Sequence, residues 1–301
     1  MQVNFHKAGY SRREFSLLLA SASAGCLSLG KSVAETVKAK PLVTDFGVCT
    51  SHKNFAHLKA SGYAFVEDGT RRLLKPDQPD DKVAASLDKI IEQKIRIHAC
   101  NSFLPASLRS TGDNANHEGV LKYADVAFRR AKKIGVKGIV FGSSGSRKLP
   151  EGYDRAKAEA QFVALLKKMA PLAHAQGVEV WLEPLNRKED NFINTQVQGA
   201  AIVEKVGHPA LGIVCDIYHV ARNEETPEDV QKCVPYMRHC HIAEKAARTA
   251  PGIEQYDFKP YLRALKSGGF SGTMSMECRW KNMKEHAPVA LQYIKNQINS
   301  L

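Results

Sequence analysis

The strongest constraint on the fold is the alternation of two patterns from residue 42 onward. Short runs rich in β-branched and aromatic residues alternate with longer amphipathic stretches, which predicts parallel βαβ units. About eight strands are predicted, at Leu42–Thr50, Tyr63–Glu67, Arg96–Ser102, Gly138–Gly142, Glu179–Pro184, Leu211–His219, Arg238–Ala243 and Gly272–Cys278. Helices are predicted between them, including Val83–Gln93, Leu121–Ile134, Arg155–Gln176, Gln196–Val206 and Tyr261–Ser267. Four helices are predicted to end at glycines, namely Gly135, Gly177, Gly207 and Gly268.

Eight strand–helix repeats predict the α/β class and, within it, a (β/α)8 TIM barrel at residues 41–301. Such a barrel needs about 250 residues, and the chain has 301. A doubly wound open sheet is the alternative topology, but it usually has a glycine-rich phosphate turn after its first strand. The segment Cys49-Thr50-Ser51-His52-Lys53 contains no glycine, which favours the barrel.

The first 34 residues have the pattern of a twin-arginine signal peptide. The pair Arg12-Arg13 precedes the apolar run Leu17–Leu29, which is too short to span a bilayer comfortably. A small-x-small cleavage site ends at Ala34, and the lipobox-like segment before Cys26 is a weaker alternative that would give a lipid anchor. An N-terminal helix that stays on the protein is the other reading. We expect a periplasmic or otherwise exported enzyme with no stable membrane span in its mature chain.

The remaining cysteines are predicted to be buried free thiols. Most lie inside apolar strand-like runs and lack the close spacing of a disulfide scaffold or a zinc knuckle. They are Cys49, Cys100, Cys215, Cys233, Cys240 and Cys278.

The chain is basic, with a formal net charge of +12. Residues 1–40 contain six Lys and Arg against two acids, so +8 remains on residues 41–301. This excess favours anionic partners but does not select among nucleic acid, an acidic glycan and a membrane surface. An inert basic surface is the alternative.

Four residues of metal-ligating types fall at the ends of the last four predicted strands. They are Glu183, Asp216, His241 and Glu277. In a TIM barrel that end of the strands carries the active site, and a carboxylate ending an apolar strand needs a partner when buried. Three carboxylates and one imidazole suit Mn²⁺, Mg²⁺ or Co²⁺ better than a structural zinc. The alternative is that each acid pairs separately with a neighbouring Lys or Arg.

An ordered set of motifs resembles the xylose-isomerase-like sugar isomerase/epimerase superfamily across residues 42–299. The motifs are Glu183-Pro184-Leu185-Asn186-Arg187, Asp216-Ile217-Tyr218-His219, His239-Cys240-His241-Ile242-Ala243-Glu244, Pro251-Gly252, Asp257-Phe258, Gly268-Gly269-Phe270-Ser271-Gly272 and Met276-Glu277. In ketose 3-epimerases of this superfamily the matching four residues bind one divalent metal. The resemblance therefore implies acid/base roles for Glu183 and Glu277, whose counterparts exchange protons with the sugar.

The resemblance also implies residues that contact substrate. His219 and Glu189 match positions where epimerases have a substrate-binding histidine and glutamate. Those enzymes often place an arginine six residues after the ligand histidine, whereas this chain has Ala247 there and Arg248 one position later. Arg248 is therefore the predicted substrate-binding arginine, and its displacement weakens assignment to free ketohexoses. Trp181, Phe103 and Trp280 are candidates for stacking on a sugar, with core packing as the alternative for Trp181.

The predicted function is a divalent-metal-dependent sugar isomerase or epimerase acting on a small carbohydrate. Removing a proton beside a carbonyl develops an enediolate that a cation stabilises, and a second carboxylate returns the proton. A lyase or hydrolase on 3-keto-glycosides could use the same site, and a sugar-binding module without turnover is a third reading. The superfamily's abasic-site endonucleases need an Asp-x-His pair after the seventh strand, which residues 246–258 lack, so no nucleic-acid partner is expected. Assembly into a homo-oligomer stays open.

The signal-peptide reading predicts that residues 1–34 are absent from the mature protein. Replacing both twin arginines, Arg12→Lys with Arg13→Lys, should leave the protein in the cytoplasm, as measured by cell fractionation. Unchanged export of the double variant would contradict the prediction.

Overall fold

A closed barrel of eight parallel strands forms the centre of the protein. The computed structural model describes residues 40–301, so the predicted signal at residues 1–34 lies outside the described residues. Each strand is hydrogen-bonded to the next, and β8 closes the ring against β1. The strands are β1 Val43–Cys49, β2 Phe65–Gly69, β3 Ile97–Asn101, β4 Gly138–Phe141, β5 Glu179–Leu182, β6 Leu211–Asp216, β7 Met237–Ile242 and β8 Gly272–Met276. The predicted (β/α)8 barrel is confirmed.

Helices follow the strands in alternation. They are α1 Phe55–Ala60, α2 Thr70–Leu73, α3 Asp80–Glu92, α4 His117–Lys133, α5 Ser144–Arg147, α6 Arg155–Ala175, α7 Gln196–Val206, α8 Ile217–Arg222, α9 Pro227–Cys233, α10 Lys259–Ser267 and α11 Met283–Asn299. In α4, the buried residues Val120, Ala124 and Ala127 recur at helical spacing, so one face packs into the core. At the start of α7, Thr195 and Gln198 form a capping box that satisfies two helix N-terminal amides.

Several predicted boundaries differ from those of the structure. The strand predicted to run to His219 ends at Asp216, because the Asp216 carboxylate accepts a hydrogen bond from the backbone N–H of Tyr218 and caps α8. Helix α10 ends at Ser267 as predicted, but Gly269 rather than Gly268 adopts the left-handed conformation, with φ of 81°. The long helix α11 was not among the predicted helices, and it contains Pro288.

A layer of four rings fills the interior of the barrel. Phe65, His98, Trp181 and His239 lie with neighbouring ring centroids 4.8 to 6.2 Å apart. Alternate residues of a strand point to the same side, so each of Phe65, Trp181 and His239 lies one layer below a residue two positions later. Those upper residues are Glu67, Glu183 and His241. The ring layer therefore forms the floor beneath the polar groups at the strand ends.

All six cysteines within residues 40–301 are free. Four are buried, while Cys49 and Cys278 are half-buried. The prediction of free thiols is confirmed for this part of the chain. In the same range, none of the helices combines the length and the apolar character that crossing a membrane would require.

Gly138 makes room for the Trp181 ring, and this contact gives a stability test. A Cβ atom added at Gly138 would lie 2.2 Å from Trp181 Cε2. Because the ring is held in a filled layer, Gly138→Ala should lower the free energy of unfolding by about 1–3 kcal/mol, measured by denaturant titration. Gly69→Ala is the control, since its added Cβ has no neighbour closer than 3.9 Å. Equal stability of the two variants would show that the ring of Trp181 can shift to accommodate the added methyl group.

Candidate active site

The four predicted ligand residues converge at the C-terminal ends of β5 to β8. Glu183 follows β5, Asp216 ends β6, His241 lies in β7 and Glu277 follows β8. Each offers one ligand atom, and these atoms all lie within 4.8 Å of one another. His241 Nδ1 is 2.9 Å from Glu183 Oε1 and 3.2 Å from Glu277 Oε2. Side chains separated by up to 94 positions in sequence thus meet at one point.

The buried charge at this point is suited to a cation. Asp216 is 1% exposed and Glu183 is 6% exposed. Asp216 Oδ2 is buried and accepts no hydrogen bond from residues 40–301, which leaves one carboxylate oxygen available to a ligand. Burial raises the pKa of Asp216 to about 8, and burial together with Glu277 raises the pKa of Glu183. A divalent metal would remove these penalties, and three carboxylates with one imidazole form a donor set that fits it.

Glu67 is a buried acid that the sequence reasoning missed. It ends the predicted second strand, where the signal was the same as for Glu183: a carboxylate closing an apolar run. Glu67 Oε2 is 3.0 Å from His241 Nε2 and 3.2 Å from His239 Nε2. Burial raises the pKa of Glu67, but the two histidines outweigh it and hold that pKa well below its usual range. Glu67 accepts a hydrogen bond from His241 Nε2, which leaves Nδ1 toward Glu183 and Glu277.

Arg248 lies close to the site, and the two glutamates differ in pKa partly because it pairs with Glu277. Its guanidinium is 2.5 Å from Glu277 Oε2 and 3.6 Å from Asp216 Oδ2. The backbone φ of Arg248 is 57°, an uncommon conformation for a residue with a side chain. Burial raises the pKa of Glu277, but His241 and Arg248 reverse this and lower it to about 2. Glu277 is therefore ionised, whereas the surroundings of Glu183 favour its protonated form.

A cavity of about 350 Å³ opens above these groups, and it is called here the first cavity. Its walls include Glu183, Glu189, His219, Arg248 and Glu277. The backbone N–H of Asn186 donates to His219 Nδ1, so Nε2 carries the ring proton and lies 3.4 Å from Asp216 Oδ2. Burial lowers the pKa of His219 to about 3, which keeps the ring neutral. The structure brings Glu189, His219 and Arg248 to the same cavity as the two glutamates.

Trp181 is not part of this cavity, so its prediction as a substrate contact is wrong. It is 3% exposed, lies in the ring layer and donates its Nε1–H to Glu179 Oε2. The cause is its position two residues before Glu183, which places it one layer deeper in the barrel. Phe103 is also buried, against Phe128 and Phe141. Trp280 lies outside both this cavity and the adjoining one described below.

Two further residues that the sequence did not reveal hold Glu183 in place. Arg147 Nη2 donates to the backbone carbonyl of Glu183 at 2.9 Å, and Arg147 Nε donates to Asp190 Oδ2 at 2.5 Å. Both Arg147 and Asp190 are fully buried. Gly142 leaves space for the Glu183 carboxylate, because an added Cβ would lie 2.4 Å from Oε2. Only the folded loops bring these residues together.

Several known proteins are similar to this chain. L-ribulose 3-epimerase of Methylomonas sp. (strain DH-1) is 25% identical over 280 residues, which cover 84% of this chain and 93% of the relative. A D-psicose 3-epimerase structure with D-tagatose, from Clostridium cellulolyticum H10, gives a TM-score of 0.74 at 19% identity and covers 84% of this chain and 99% of that one. A 3-keto-D-glucoside 4-epimerase structure from E. coli gives 0.70 at 19% identity, with the same shares covered. The two structural likenesses bear on the fold alone.

Residues 55–297 match the family described as xylose isomerase-like TIM barrel. The match covers most of the chain and includes all four converging residues. The chain therefore belongs to the xylose isomerase-like TIM barrel family.

Proposed function

We propose that this protein is a divalent-metal-dependent sugar isomerase or epimerase. The observation that carries the proposal is the pair Glu183 and Glu277, two carboxylates that both lie within 3.2 Å of His241 Nδ1 at the barrel mouth. Glu183, Asp216, His241 and Glu277 would hold Mn²⁺, Mg²⁺ or Co²⁺. A bound cation supplies stabilisation of the negative charge that develops on a sugar oxygen when the adjacent C–H loses its proton. A relative that aligns over most of the chain is an L-ribulose 3-epimerase, which supports the same reaction class.

The two glutamates would transfer the protons in this reaction. Both carboxylates line the first cavity, so one would remove the proton beside the carbonyl and the other would return it. Returning the proton to the neighbouring carbon gives isomerisation, and returning it to the opposite face gives epimerisation. His219 Nε2–H and Arg248 present donors to the same cavity and would bind sugar hydroxyls or the carbonyl. Glu189 Oε1 accepts from Asn186 and leaves its second oxygen for a hydroxyl.

A lyase or hydrolase acting on 3-keto-glycosides is the second candidate. Enolising a 3-keto sugar allows a substituent two carbons away to leave, with the same two carboxylates handling the protons. A second cavity adjoins the first and shares Arg248 and Glu277 with it, which offers space for a leaving group. The product distinguishes the candidates, since an epimerase returns an intact sugar and a lyase releases the substituent.

Incubation of the metal-loaded protein in D2O with free, keto and glycosidic sugars tests both candidates. Deuterium incorporated beside a carbonyl supports proton transfer at carbon, and mass spectrometry of the product identifies epimer or eliminated group. A protein that binds sugars but exchanges no deuterium would be a binding module instead. The proposed export of the enzyme rests on the sequence of residues 1–34.

Glu67→Gln should weaken metal binding by about 10- to 100-fold, since a residue that orients a metal-ligating histidine typically contributes that much. The amide removes the negative charge that holds His241 Nε2–H. Calorimetric titration with Mn²⁺ measures the effect. Glu225→Gln is the matched control, because Glu225 is also buried but accepts its hydrogen bond from the backbone of Gln196. Unchanged affinity in Glu67→Gln would mean that Glu67 does not orient His241.

Glu183→Gln and Glu277→Gln should each abolish proton transfer, which is usually worth about 10²–10⁴-fold. Both variants keep the side-chain shape but lose the charge and the basicity. Excess Mn²⁺ should restore metal binding, because Asp216 and His241 remain, but it should not restore deuterium exchange. Glu225→Gln is again the control. A rate restored by metal in Glu277→Gln would reduce that residue to a ligand, and full activity without added metal in either variant would place the site elsewhere.

A further inference from the structure

A second cavity of about 320 Å³ lies beside the first cavity. The two share a wall made of Asn101, Arg248 and Glu277. Glu277 therefore faces both cavities, and a molecule bound at the two glutamates would lie next to the second cavity. The proposed isomerase or epimerase reaction uses the first cavity, and only the lyase candidate gives the second cavity a use.

Three guanidinium groups line the second cavity. Arg72 comes from α2, Arg248 from the loop after β7 and Arg279 from the loop after β8. The backbone N–H of Arg279 donates to the carbonyl of Arg248 at 2.7 Å, so these two arginines leave the backbone side by side. Arg71 adds a fourth guanidinium at the wall of the first cavity.

The positive charge of these arginines is only partly compensated. Arg72 pairs with the buried Asp68, and Arg248 pairs with Glu277. Glu67, the other acid in the wall, is engaged by His239 and His241. Arg279 has no carboxylate within 4.0 Å among residues 40–301, and its side chain makes no hydrogen bond there.

We propose that the second cavity binds an anionic group of the substrate, either a carboxylate or a phosphate ester, carried away from the reacting carbons. This inference rests on the proposed function, because it names the substrate class of the same site. Guanidinium groups bind both anions through paired charge-assisted hydrogen bonds. No aromatic residue lines the second cavity within the described part of the chain, so a neutral sugar ring or apolar substituent would have no face to stack on. The charge of +8 on residues 41–301 would also attract anionic sugars from solution.

The test compares one sugar skeleton in three forms: D-fructose, D-fructose 6-phosphate and the ketose whose terminal CH2OH is oxidised to a carboxylate. Calorimetric titration of the metal-loaded protein gives each Kd, and D2O incubation gives exchange. We expect at least one anionic form to bind about 10- to 100-fold more tightly than D-fructose, the range of charge-assisted hydrogen bonds. Arg279→Gln should remove that preference. Arg263→Gln is the matched control: it removes one exposed charge that lines neither cavity, and it should keep the preference.

The possible results test the anion site separately from the proposed isomerase or epimerase function. Equal affinity for all three forms, or equal loss of preference in Arg263→Gln and Arg279→Gln, would overturn the anion site. A preference that persists without deuterium exchange in any sugar would support the anion site and count against the proposed reaction. If none of the three sugars binds, titration with inorganic phosphate decides, and binding that Arg279→Gln does not weaken would overturn the inference. The phosphate and carboxylate arms together show which anion the site prefers.

Discussion

The burial of ionisable groups at one end of the barrel is the constraint on which the rest of the structure depends. Glu183, Asp216 and His241 are almost fully buried, and Glu277 joins them. Like charges at this density are costly in a medium of low polarity unless counter-charges and hydrogen bonds compensate them. The chain supplies part of the compensation through Arg248, and the donor set suits a cation for the remainder. The C-terminal ends of the last four strands carry these groups, and the loop after β7 carries Arg248.

The depth of each group in the barrel follows from the two-residue repeat of a strand. Phe65, Trp181 and His239 form the ring layer, and the inward-facing residues two positions later carry the polar chemistry. Glycines complete the arrangement, because Gly138 accommodates Trp181 and Gly142 accommodates the carboxylate of Glu183. A strand shifted by one residue would turn its ligand outward and its ring away from the layer. Packing and chemistry are thus fixed by the same register.

The sequence predicted the barrel and the four converging groups because both depend on local patterns repeated along the chain. Glu67 had the same signal as Glu183 but lies in an early strand, where no family motif drew attention to it. Trp181 was misplaced because its depth depends on the register of the closed barrel, which periodicity alone does not provide. The pairing of Arg147 with Asp190, 43 positions apart, depends on two folded loops. Position 248 reaches the site through an uncommon backbone conformation that no residue type in that segment indicates.

The ring layer determines from which end of the barrel a ligand can reach the site. Since Phe65, His98, Trp181 and His239 fill the bore, the barrel has no passage from one end to the other. A substrate of the proposed reaction would therefore enter, and its product would leave, by the same opening at the C-terminal ends of the strands. A product that resembles its substrate would compete with it for that opening.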